Sequence, residues 1–134
     1  MIESPALTEE NRHLLAACHA ALEDTKAKDV FILDVSRQSS LTRYLLIASA
    51  TSEPHLRALK RDVSQTLKDC RATVLGAEGT AGSGWLALDA FDVMIHLFTE
   101  PVRETYKLES LWKDAEEVAV EALREADSAF PRQA

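Results

Sequence analysis

The stretch "YLLIASA", residues 44–50, constrains this chain more than any other. It is seven residues long with no charge, too short for an ordinary helix and apolar at successive positions. A second run, "DVFILDVS" at 29–36, is similar and rich in β-branched and aromatic residues. Each reads as a buried strand. The polar "RQSSLTR" between them is a loop.

The rest of the chain supplies cover for such a sheet. Ser4-Pro5 and Thr8-Glu9-Glu10 both resemble helix starts, and Leu14, Leu15, Cys18 and Leu22 follow at helical spacing, which predicts an amphipathic helix over roughly 8–27. Ser52, ahead of Glu53 and Pro54, caps a second helix whose apolar stripe is Leu56, Leu59, Val63 and Leu67. Arg57, Lys60, Arg61, Lys68 and Arg71 lie on its outer face. Three more strands are expected at 72–78, 85–89 and 92–98. A short helical turn follows at 100–106, then a final acidic helix at 108–128, and residues past Phe130 form a short flexible tail. The order α-β-β-α-β-β-β-α describes one α/β domain over 1–134, with its core at about 8–127. Its mixed sheet has about five strands, flanked by helices.

At 134 residues, 46% hydrophobic and 28% charged, the composition is that of a globular protein. No apolar run approaches the roughly 20 residues of a membrane span, and the polar, acidic start resembles neither a signal nor a transit peptide. The expectation is a cytoplasmic protein. A net charge of −7 argues against broad nucleic-acid binding and suits a basic protein partner. Cys18 and Cys70, far apart in sequence, are expected to be small packed side chains rather than a disulfide.

An enzyme reading finds little support. Gly76, Gly79, Gly82 and Gly84 run into the strand "WLALD" rather than a helix N-terminus, and no Lys-Ser or Lys-Thr pair follows, so a flexible hairpin loop is expected in place of a phosphate loop. Asp89 and Asp92 are candidate metal carboxylates, with Asp29 and Asp34 as further candidates, but no Asp-x-Asp pair or basic clamp accompanies them. Ser83 lacks a nucleophile elbow. His13, His19, His55 and His96 show no i, i+4 pairing of the zinc type. No metal site and no catalytic residue is expected.

A binding surface is the competing reading. If Ala90 and Phe91 form a two-residue turn, Asp89 faces Asp92, Ala87 faces Met94 and Trp85 faces His96 on one side of the sheet. Leu88 with Val93 and Leu86 with Ile95 make the core side. Tryptophan and methionine suit an interface centre, and a basic partner would relieve the opposed carboxylates. Cover of Trp85 by the last helix is the alternative. Phe91 cannot take a positive φ cheaply, which argues against a glycine-type turn.

These same residues resemble the ribosomal silencing factor family, also called RsfS or Iojap-like. In "GWLALDAFDVMIHLFTEPVRETYKLESLW", Trp85, Asp89, Asp92, Val93, His96, Arg103, Tyr106, Leu108, Glu109, Leu111 and Trp112 fall in step with the family's signature. Asp34, Val35, Ser40, Tyr44, Thr51, Ser52 and His55 match its upstream segment. The chain departs from the pattern at Ala50 (usually glycine), Arg43 (commonly aspartate) and Ala90-Phe91 (Tyr-Gly). The resemblance implies a nucleotidyltransferase-like fold without the catalytic carboxylates, no cofactor and no turnover. It implies docking on the large ribosomal subunit through its fourteenth ribosomal protein. Joining of the small subunit would then be obstructed and translation damped when nutrients are scarce. The contact residues expected are Trp85, Asp89, Phe91, Asp92, Met94 and His96, with Tyr106, Leu108, Leu111 and Trp112 in the core. The basic helix face is expected to be solvated, with peripheral contact to ribosomal RNA as the alternative. A homodimer using the Trp85 face and a residual nucleotide-binding enzyme are the other readings; no membrane association is expected.

Overall fold

A computed structural model describes residues 8–37, 39, 42–107, 115–119 and 123. The first helix, α1 (Glu9–Asp24), starts where the Thr8 hydroxyl accepts a hydrogen bond from the Asn11 N–H, the side-chain cap that an exposed helix start requires. Strands β1 (Lys28–Asp34) and β2 (Tyr44–Ala50) pair antiparallel. Helix α2 (Glu53–Asp69) is capped by Ser52, with Pro54 in its first turn. Strand β3 (Gly76–Thr80) and a 3₁₀ turn at Ala81–Ser83 lead into β4 (Trp85–Ala90), β5 (Val93–Thr99) and helix α3 (Glu100–Tyr106). A two-residue strand, β6 (Glu116–Glu117), also joins the sheet.

The strand order is β3-β4-β5-β2-β1-β6. β2 and β5 run parallel at its centre, and the other neighbours are antiparallel. Every residue of β2 is buried, so the uncharged run has cover on both faces. One face packs on α1 and α2 through Leu46, Ala48, Leu86, Leu88, Ile95 and Leu97. The opposite face carries a smaller cluster of Leu33, Val35, Leu45, Ile47 and Phe98, against which Trp85, Met94, Val102 and Ala115 pack. His55 ties the two helices together. Its Nδ1 accepts the Thr51 N–H at 2.9 Å, and its Nε2 donates to the Thr25 carbonyl at 2.6 Å.

Three expectations are corrected. Among the described residues the sheet has six strands rather than about five. The strand expected at 72–78 begins at Gly76, because Arg71 turns left-handed (φ 61°) and redirects the chain. Within the helix expected at 108–128, Glu116 and Glu117 are instead extended and pair with Asp34 and Leu33. The Val118 N–H also donates to the Ile32 carbonyl. The edge of β1 offers unpaired backbone groups there, and tertiary pairing overrides the local helical preference. Leu123 is helical and buried. Leu108, Leu111 and Trp112, the side chain of Tyr106 and the tail past Phe130 lie outside the described residues.

The glycine run does join two strands of a hairpin, but its own conformation is specific. Gly79 has φ 85°, and a Cβ there would meet the Trp85 carbonyl oxygen at 2.1 Å. Gly84 has φ 81°, and a Cβ would stand 2.6 Å from Val102 and 2.7 Å from the Thr99 hydroxyl. Both positions exclude a side chain. Among the described residues, no helix is long and apolar enough to cross a membrane.

Candidate functional site

The β4–β5 hairpin is the frame of the site. The observed partners are Ala90 with Val93, Asp89 with Met94, Leu88 with Ile95, Ala87 with His96, Leu86 with Leu97 and Trp85 with Phe98. The turn is therefore Phe91-Asp92, not Ala90-Phe91, and Asp89 does not oppose Asp92. Nor does Trp85 oppose His96. The reason is that Ala90 continues the helix-covered face. Asp92 is meanwhile drawn to the entry of β2, where its carbonyl accepts from the N–H groups of Arg43 (3.0 Å) and Tyr44 (2.9 Å) and from the Thr42 hydroxyl (3.0 Å). The partners change by two residues, so the side chains within the two strands keep their expected faces, while Asp92 leaves the ladder for the turn.

Phe91 takes φ 71°, contrary to the expectation that it would avoid the left-handed region. The Asp89 carboxylate accepts its N–H at 3.1 Å and holds this conformation in place. The Phe91 side chain is 69% exposed. An aromatic is thus held out to solvent on a strained backbone, a combination of two costs. Beside it a groove of about 320 Å³ runs between α1, the end of α2 and the turn, lined by His13, Leu14, Cys70, Arg71, Phe91 and Asp92 among others.

Behind the turn, Trp85, His96 and Phe98 form a set of near-parallel rings with centroids 5.9 to 6.1 Å apart. Trp85 is half-buried, and its indole N–H donates to His96 Nδ1 at 3.1 Å. Burial pushes the His96 pKa down to about 4, which keeps the ring neutral at physiological pH. Met94 and Asp89, both half-buried, sit on the same face next to it. Asp92 belongs elsewhere: the Asn11 amide donates to its carboxylate at 3.1 Å, and Arg43 approaches it at 3.8 Å. The fold therefore brings Trp85, Asp89, Met94 and His96 together, puts Phe91 at the tip, and turns Asp92 towards α1.

Asn11 and Arg103 are positions whose roles were not read from the sequence. Asn11 sits within the apolar face of α1, one turn before Leu14 and Leu15, and that misplaced polarity was the available signal. Arg103 is buried and donates to the Asp29 carbonyl (2.6 Å) and the Ser49 hydroxyl (2.8 Å), with its guanidinium 5.4 Å from the Phe31 ring centroid. It borders a cavity of about 470 Å³ shared with Glu100, Glu104 and Lys107. No local pattern announces that long-range contact.

The arrangement offers aromatic surface, hydrogen-bonding groups and acids, which is what recognition uses. Among the described residues no group of three or more His, Cys, Asp or Glu could hold a metal ion. Both cysteines are free, and burial raises both thiols, Cys18 to about 12, so neither is poised as a nucleophile. On the outer face of α2, Arg57 meets Glu53 at 3.5 Å and Arg61 meets Asp62 at 3.2 Å, so part of the basic stripe is matched by neighbouring acids.

Comparison with known proteins gives the same direction. The chain is 37% identical over 92 residues to the ribosomal silencing factor RsfS of Chromobacterium violaceum, covering 69% of this chain and 75% of that one. It is 34% identical over 94 residues to the mouse protein named mitochondrial assembly of ribosomal large subunit protein 1, covering 68% of this chain and 41% of that one. A crystal structure of a Chromobacterium violaceum protein superposes with a TM-score of 0.73 at 33% identity, over 76% of this chain and 85% of that chain. The sequence model of the family described as ribosomal silencing factor during starvation matches residues 8–134, and the chain belongs to that RsfS family.

Proposed function

We propose that this chain docks on the large ribosomal subunit through its fourteenth ribosomal protein and sterically blocks joining of the small subunit, repressing translation when nutrients are limiting. It works by occlusion, as one domain in the cytoplasm, with no cofactor and no catalytic step. The partner surface is Trp85, Asp89, Phe91, Met94 and His96, with Asp92 at its border. A name shared by relatives supports the ribosome as target, and the mouse relative's name specifies the large subunit. The observation that carries the choice of surface is Phe91, 69% exposed at φ 71°. A fold has no reason of its own to hold an aromatic out on strained backbone.

An acidic chain is also suited to electrostatic steering towards a basic ribosomal protein. The nucleotidyltransferase alternative rested on fold likeness and on the Asp89–Asp92 pair, and those two residues do not oppose each other in the hairpin. A homodimer through the Trp85 face remains a competitor for the same surface. Co-sedimentation with purified large subunits tests the proposal. Wild type is expected to pellet, and Phe91→Ala, folded by circular dichroism, to stay in the supernatant. A wild type that never pellets removes the reading; a variant that pellets equally removes the surface.

A further inference from the structure

The hydrogen bond between Trp85 and His96 has a chemical consequence at the other end of the ring. An indole N–H only donates, so the His96 nitrogen it meets at 3.1 Å must accept. That nitrogen is Nδ1, and in a neutral imidazole the proton then sits on Nε2. Among the described residues, nothing accepts from that Nε2–H. His55 shows the contrast, since both of its ring nitrogens are engaged within the fold. The His96 residue keeps 7% exposure. A mostly buried ring is thus fixed in one tautomer with one donor that no described residue engages.

The surroundings select the acceptor. Glu78 pairs with Ala87, and Asp89 with Gly76 and Met94, so two carboxylates share the face with His96. Their charge disfavours a phosphate or carboxylate acceptor, and a neutral imidazole supplies no compensating cation. A neutral peptide carbonyl meets the donor without that penalty. Resting on the docking reading above, we propose that His96 donates from Nε2 to a peptide carbonyl oxygen of the protein partner, with Trp85 as the positioning residue that sets the tautomer.

Long-range ¹H–¹⁵N spectra of the free protein read the first half. Wild type is expected to show protonated Nε2 and bare Nδ1, and Trp85→Phe a mixture of tautomers; an Nδ1–H form in wild type overturns the proposal. Calorimetry with the isolated fourteenth ribosomal protein reads the second half. His96→Phe is expected to weaken binding about tenfold, while His96→Gln, whose amide places a donor near the Nε2 position, recovers most of it. Glutamine as weak as phenylalanine assigns the loss to packing and overturns the hydrogen bond. A His96→Phe that binds like wild type overturns the contact and leaves the docking reading standing. A loss seen with intact large subunits but not with the isolated protein moves the acceptor to RNA and overturns the carbonyl. Wild type binding neither target fails the docking reading, and the contact with it.

Discussion

The two faces of the β4–β5 hairpin carry the same backbone and different chemistry. On the helix-covered face, Leu86, Leu88, Ala90, Val93, Ile95 and Leu97 are apolar without exception and buried. On the other face, Trp85, Asp89, Met94 and His96 mix rings, a thioether and a carboxylate, and three of the four are half-buried. One face is spent on stability, where tight packing makes each methylene count. The other keeps polar atoms and partial exposure, which stability alone does not call for. A single strand pair can serve both because successive side chains point to opposite sides.

Substitutions separate the two faces. Ile95→Ala, at a fully buried position, should cost about 2 to 5 kcal/mol in denaturant unfolding; a cost below 1 kcal/mol would erase the distinction. His96 gives a comparable effect through pH. Its folded pKa is depressed from 6.5 to about 4, so between those values the unfolded state binds the extra proton. Stability is complete above about pH 6.5 and declines as pH falls towards 4, by roughly 3 kcal/mol in all. His96→Phe should flatten that part of the profile, measured by thermal unfolding across pH.

Smaller effects sharpen the comparison. Asn11→Ala removes the amide that holds Asp92 and should cost about 1 kcal/mol, with a loosened turn visible as faster hydrogen exchange at the Arg43 and Tyr44 amides. Phe91→Gly should act in opposite senses on the two functions. Relief of the positive φ should raise stability by up to about 1 kcal/mol, while affinity for the large subunit falls. Unchanged affinity would return Phe91 to the status of a solvent-exposed accident.

Much of the frame was legible without coordinates. β2 was readable because a short uncharged run leaves a strand buried on both faces few alternatives. α2 was readable because Ser52, Pro54 and four spaced apolar residues agree at every level. The alternation in β4 and β5 placed each side chain on its correct face. What failed was local: the turn residue, the start of β3 and the strand at Glu116–Glu117. The turn and the Glu116–Glu117 strand were decided by partners distant in sequence, the β2 entry that recruits the Asp92 carbonyl and the open edge of β1, and the start of β3 by the left-handed backbone at Arg71.

The sequence by itself determined the composition of the layers and which side chains share a face, because hydrophobic period is a local property of the chain. Only the tertiary structure decided which atoms meet across those faces. The Trp85 hydrogen bond that sets the His96 tautomer, the Asn11 amide on Asp92 and the strained display of Phe91 each depend on register and on neighbours far away in the chain. Register is a balance of many backbone hydrogen bonds, and no single residue announces it.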